Sequence, residues 1–114
     1  MATTRKKKIE PETLEPIPPG EILLEEFMKP LAISQNQLSR DIDVPPGRIN
    51  EIIHGKRAIT ADTALRLGKY FNTSADLWLG LQMEYDIRLA KRDSWPSIEG
   101  RIRTLAPREQ RQQA

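Results

Sequence analysis

Residues 43–57, Asp-Val-Pro-Pro-Gly-Arg-Ile-Asn-Glu-Ile-Ile-His-Gly-Lys-Arg, limit what this chain can fold into more than any other stretch. Apolar residues at 49, 52 and 53 repeat three and four apart, as on one face of a helix, yet they follow two prolines and a glycine at once. Proline is unfavourable inside a helix and favourable at its first position, where the missing amide would be unpaired anyway. The spacing therefore predicts a short helix from about Pro46 to Ile53, with Pro46 and Gly47 in its first turn and Gly55 as its stop. Pro45 keeps Val44 out of the helical region and separates this helix from the one before it.

The neighbouring segments have the same period. In residues 18–30, Leu23 with Phe27 and Leu24 with Met28 lie four apart, Pro19 suits an opening turn and Pro30 marks the exit. Ser34 is a candidate N-cap for a short second helix carrying Leu38 and Ile42. Thr60 caps a fourth, with an acid at Asp62 and a stripe of Ala64, Leu65, Gly68 and Phe71. Ser74 opens a fifth that reaches Arg92, where Trp95-Pro96 breaks the pattern. No segment alternates with period two, so the expected class is all-α: five helices over residues 19–92, a flexible arm over 1–18 and a partly disordered extension over 93–114. The extension segment 97–106 is expected as a short strand or helix.

A chain of 114 residues has room for one domain and its tails. No apolar run approaches the roughly 20 residues of a membrane span, the basic N-terminus precedes no signal-like segment, and cysteine is absent, so a cytoplasmic protein is expected. One histidine, no cysteine and no glycine-rich phosphate loop give no support to an enzyme, a metal site or a cofactor. The net charge of +2 says little about partners, but its distribution says more. Three glutamates lie within residues 21–26, whereas Arg48, Lys56, Arg57, Arg66 and Lys69 face only Glu51 and Asp62 between residues 48 and 69. The cluster Arg5–Lys8 reads as a solvated tail or as an arm that touches phosphate.

Two short helices a few residues apart, followed by Gly-Lys-Arg, have helix-turn-helix spacing. Ser34, Gln35, Leu38, Val44, Ile49, Gly55, Lys56 and Arg57 stand where the lambda-repressor-like helix-turn-helix has its Ser-Gln opening, helical leucine, apolar turn residue, isoleucine and Gly-Lys-Arg. Over residues 18–90 the chain further resembles HigA-type antitoxins, also called virulence-associated protein I or plasmid-maintenance antidotes. The resemblance is carried by Pro19-Gly20-Glu21, by Arg57-Ala58-Ile59-Thr60 and by the Leu-Trp-Leu-Gly-Leu-Gln-Met-Glu-Tyr-Asp-Ile run of residues 77–87. It implies a bacterial repressor of its own operon that binds an inverted-repeat operator in double-stranded DNA and neutralises a ribosome-dependent, mRNA-cleaving toxin of the HigB type.

Site residues follow from position within this pattern. Pro46, Gly47, Arg48, Asn50 and Glu51 are the candidates for base reading, and Ser34, Gln35, Arg40, Lys56 and Arg57 for phosphate binding. Arg48 can pair with guanine or hold a phosphate; Asn50 suits adenine; Glu51 can accept from cytosine or orient Arg48. The family pattern usually has polar side chains where this chain has Pro46 and Gly47, which leaves apolar contact or none there. His54 reads as a surface or capping residue. In the fifth helix Trp78, Leu81, Tyr85 and Leu89 form a core stripe, and Leu79, Met83 and Ile87 form a second. The second stripe suits a homodimer mate or a cover made by the C-terminal tail. The alternative function is a protein-interaction module, or a general regulator with the same fold and no toxin.

Overall fold

The computed structural model describes residues 15–111, and the expected basic cluster Arg5–Lys8 and the last three residues of the extension lie outside them. Helix α1 spans Pro19–Ile22 and continues into a wider turn over Leu23–Met28, in which the Lys29 amide donates to the Leu24 carbonyl five residues back at 2.9 Å. The widening falls just before Pro30, which has no amide to offer the turn above it and whose ring needs room. Then follow α2 (Gln35–Asp41), α3 (Arg48–Ile53), α4 (Ala61–Phe71) and α5 (Ala75–Asp93). Two single 3₁₀ turns, Trp95–Ser97 and Glu99–Arg101, and a short α6 at Arg108–Arg111 complete the described residues, among which there is no strand.

Caps set these boundaries. The Ser34, Thr60 and Ser74 hydroxyls accept from the amides of Gln37, Thr63 and Leu77, as expected of N-caps. Four helix ends share one closure at the other side. Ala32, Asp43, Gly55 and Asn72 adopt positive φ of 56, 59, 74 and 58°. In each case the next residue's amide reaches back five residues: Ile33 to Met28, Val44 to Ser39, Lys56 to Glu51 and Thr73 to Gly68, at 2.8–3.0 Å. Alanine alone among the four has neither a free φ nor a side chain that helps it tolerate this region. Ala32→Gly is accordingly expected to stabilise the domain by about 0.5–1 kcal/mol, the relief of strain exceeding the entropy gained by the unfolded chain. Thermal unfolding should show a rise of a few degrees in Tm.

Two expectations about the helices are corrected. Pro46 and Gly47 do not lie in α3. Gly47 has φ 93° and ψ −20°, a left-handed conformation no helical turn can contain, and the Arg48 amide closes on the Pro45 carbonyl at 3.1 Å. Pro46-Gly47 thus fills the centre of a tight turn, the pairing that a type II turn demands, and the helix starts at Arg48. In α4, Leu65 is 65 % exposed, and Leu67 takes the buried place with Thr63, Ala64 and Gly68 because that set keeps the three-and-four spacing of one face.

The core joins Leu23, Met28, Leu38, Ile42, Ile49, Ile52, Ile59, Leu67 and Trp78, with contributions from every helix of the domain. Phe27, Phe71 and Trp78 pack as tilted rings, with Trp78 4.8 Å from Phe27 and 6.1 Å from Phe71. Helix α1 lies against α3 at Gly20, where a Cβ would stand 1.9 Å from the Ile52 carbonyl oxygen. Residues 15–18, which the sequence assigns to the arm, run beside α5. Glu15 pairs with Arg92 at 2.6 Å, and Pro18 lies under Gly55.

Candidate nucleic-acid interface

Helices α2 and α3 and the loop after α3 present one continuous surface, and several bonds fix its shape. The Asn50 amide donates to the Gln35 side-chain oxygen at 3.2 Å, tying the middle of α3 to the first turn of α2. Arg66 of α4 donates through one guanidinium nitrogen to the carbonyls of Ile42 and Asp43 at 2.7 and 2.8 Å, while its Nε pairs with Asp62 at 2.9 Å. It therefore caps the end of α2 and holds the turn between the two helices. Tyr70 adds a second tie from α4, donating to Asp41 at 2.7 Å, a bond that raises the tyrosine's pKa above its ordinary value.

Ile49 and Ile52 are buried, and Ile53 is partly so, which leaves Asn50 and His54 pointing outward with Glu51 and puts Arg48, half-buried, at the flank. The His54 ring nitrogen Nδ1 lies 2.8 Å from the Asn50 carbonyl, so the ring covers the open end of α3, the capping role expected of it. Glu51 does not orient Arg48, the second of its two expected roles. Its carboxylate accepts from Arg57 Nε at 2.6 Å, so the cation it orients is Arg57 and not Arg48. The reason is the Gly55 closure, which turns the chain back so that Arg57 passes over the solvent side of α3. That hydrogen bond, with the charges of Arg57, Arg48 and Lys56, holds the Glu51 carboxyl below the usual glutamate range.

The remaining candidates spread around this centre. Lys56 and Arg40 are exposed, the first directly after α3 and the second in the last turn of α2. Ser34 spends its hydroxyl as a cap acceptor. Pro46 and Gly47 form the exposed turn that leads into α3. Of the bases in the middle of the chain, Arg66 is thus structural, and sequence reasoning left its role unassigned. The one local signal was its spacing of four from Asp62. Gly20 and Pro18, which brace α3 and its loop from behind, had no local signal.

On α5, Trp78 is buried and Leu81, Tyr85 and Leu89 are partly buried, whereas Leu79, Met83 and Ile87 face solvent. Among the described residues, no part of the C-terminal extension covers the second stripe. No helix among the described residues is long and apolar enough to cross a membrane.

Comparison with known proteins agrees with this geometry. The helix-turn-helix family profile matches residues 24–78. Virulence-associated protein I of Dichelobacter nodosus is 51 % identical over 77 residues, 68 % of this chain and 71 % of that protein. Among solved structures, an addiction module antidote protein of the HigA family from Coxiella burnetii is 44 % identical with a TM-score of 0.76, over 81 % of this chain and 100 % of that one. The Pseudomonas aeruginosa antitoxin HigA, solved with the higBA promoter, is 43 % identical with a TM-score of 0.76, over 80 % of this chain and 99 % of that one. On these likenesses and on its own helix-turn-helix, the chain belongs to the HigA-type, virulence-associated protein I family of helix-turn-helix proteins.

Proposed function

We propose that the protein is a sequence-specific DNA-binding antitoxin that represses its own operon and neutralises a partner mRNA-cleaving toxin. On this reading it acts in the cytoplasm as a homodimer and catalyses nothing. The observation that carries the reading is the rigid α2–turn–α3 unit with its basic loop, in a chain 43 % identical to an antitoxin solved with promoter DNA.

In this mechanism α3 of each subunit enters the major groove, the two subunits reaching half-sites about 34 Å apart. The first turn of α2, Arg40, Lys56 and Arg57 hold the phosphates, and Ser34 and Gln35 set the N-terminal end of α2 against the backbone. Arg48, Asn50 and Glu51 meet the base edges, and Pro46 and Gly47 contribute at most an apolar contact. Because Glu51 is bound to Arg57 in the free protein, phosphate and carboxylate compete for one guanidinium. A phosphate that draws Arg57 away frees Glu51 to accept from a base amino group, so that backbone docking precedes base reading.

The test separates the two kinds of contact. Arg48→Ala should lower the ratio of operator to non-specific affinity by about 5- to 150-fold, equivalent to about 1–3 kcal/mol of discrimination. Lys56→Ala should weaken both alike and reduce the salt slope by about one. Gel-shift titrations on the DNA upstream of the protein's own reading frame, at several salt concentrations, provide both numbers. An unchanged ratio for Arg48→Ala would remove it from the base-reading set.

A further inference from the structure

Gln82 and Asp86 are polar residues of α5 that belong to neither of its apolar stripes, and both line the cleft behind the loop that follows α3. The Ile59 amide donates to Gln82 Oε1 at 2.7 Å, a part-buried bond that spans 23 residues of sequence. Gln82 Nε2 in turn donates to Asp86 Oδ1 at 3.0 Å, so both ends of the side-chain amide are engaged. The oxygen has to face Ile59, because a backbone N–H can only donate.

The loop has few other holds. At its start the Lys56 amide closes on the Glu51 carbonyl over left-handed Gly55, and at its end Thr60 caps α4. Among the described residues, the Ile59 amide is the one hydrogen-bonded backbone group of residues 57–59. Arg57 reaches Glu51, but both side chains of that pair are about half exposed, where an ion pair contributes little and is screened by salt. Packing does not fix the loop against α5 either. A cleft of about 160 Å³ lies between them, with Gly55, Lys56 and Arg57 on the loop side and Gln82, Tyr85 and Asp86 on the helix side.

The buried Ile59 side chain anchors the far end of the loop, and the bond to Gln82 fixes how its backbone lies over α5. Lys56 and Arg57 are carried between this hold and the Gly55 closure. Without the Gln82 oxygen, the Ile59 N–H has no partner in a part-buried place, and the backbone has to swing outward to reach water. The two cations move with it.

We propose that Gln82 is a positioning residue for DNA binding: oriented by Asp86, it holds the loop over α5 so that Lys56 and Arg57 meet the DNA backbone together. This role rests on the phosphate contacts proposed above for those two residues, and it needs no contact between Gln82 and DNA.

Gln82→Met keeps the length and neutrality of the side chain and removes the acceptor. It should weaken binding to the operator and to a scrambled duplex alike, by about 3- to 10-fold, and lower the salt slope by about one, the value of one phosphate contact. Lys56→Ala should then cost much less affinity in the Gln82→Met protein than in the wild type, because the contact it removes is already lost. Trp78→Phe, which disturbs the same helix from its core side, should leave the salt slope and the cost of Lys56→Ala as they are in the wild type. Titrations well below each variant's Tm, with helix content checked by far-UV circular dichroism, supply these numbers. A Lys56→Ala cost that is the same in the wild type and in Gln82→Met overturns the positioning role, and so does a wild-type salt slope for Gln82→Met. Equal losses in Trp78→Phe and Gln82→Met also overturn it, since stability alone would then account for them. A Lys56→Ala that changes neither affinity nor slope in the wild type removes the phosphate contact itself, and the role of Gln82 with it.

Discussion

Gly20→Ala is expected to destabilise the domain by about 3 kcal/mol or more, although it adds one methyl group to a helix that should otherwise favour alanine. The added carbon would stand 1.9 Å from the Ile52 carbonyl oxygen, 2.5 Å from its carbon and 2.5 Å from the Ile53 Cα. All three atoms are backbone, so no rotamer change makes room, and α1 must separate from the end of α3. Separation would also shift the Gly55–Arg57 loop, which Pro18 braces directly before α1. Urea unfolding followed by circular dichroism checks the stability loss. Operator affinity measured well below the variant's Tm should fall as well, because the Gly55–Arg57 loop, which we propose holds phosphate, moves with the helix end. A stable Gly20→Ala protein with full affinity would mean that α1 and α3 are not in contact as described.

Trp78→Ala is expected to cost about 3–5 kcal/mol, the range for removing a buried aromatic side chain. Trp78 is completely buried, packs against Phe27 and Phe71, and donates its indole N–H to the Thr73 hydroxyl at 2.9 Å. Alanine would leave a cavity where α1, α4 and α5 meet and would strand Thr73. Trp78→Phe keeps most of the apolar contact and loses the hydrogen bond, so a smaller cost of about 1–2 kcal/mol is expected. Equilibrium urea unfolding of the two variants side by side gives the order directly. Equal costs would show that the hydrogen bond, and not the ring packing, carries the site.

Much of this architecture was legible because its signals are local. Ser34, Thr60 and Ser74 cap the helices they were expected to cap, Gly55 ends α3, and the two stripes of α5 divide into a packed one and an exposed one. Such features depend on residues within a turn or two of each other. Pro46-Gly47 was ambiguous for a physical reason. Proline at a first helical position and proline before glycine in a tight turn have the same sequence, and only the positive φ of Gly47 separates them. In α4, Leu65 and Leu67 are equally apolar, and the choice between them depends on how the helix is rotated against its neighbours. Long-range contacts were not legible at all. Gly20 approaches a backbone some 30 residues away in sequence, and Arg66 serves carbonyls 23 and 24 residues before it. The placement of Arg57 on Glu51 belongs to the same class, because a left-handed residue between them decides where the loop returns.

The central claim is that α3, held by α2 and the Gly55–Arg57 loop, reads a particular DNA sequence beside the protein's own reading frame. The most direct measurement is a footprint of the wild-type protein on that upstream DNA, with a scrambled duplex of equal length as competitor. Two protected half-sites with centres about 34–36 Å apart, unaffected by the competitor, are the predicted result. Uniform protection lost to the scrambled duplex, or no protection at all, would contradict it.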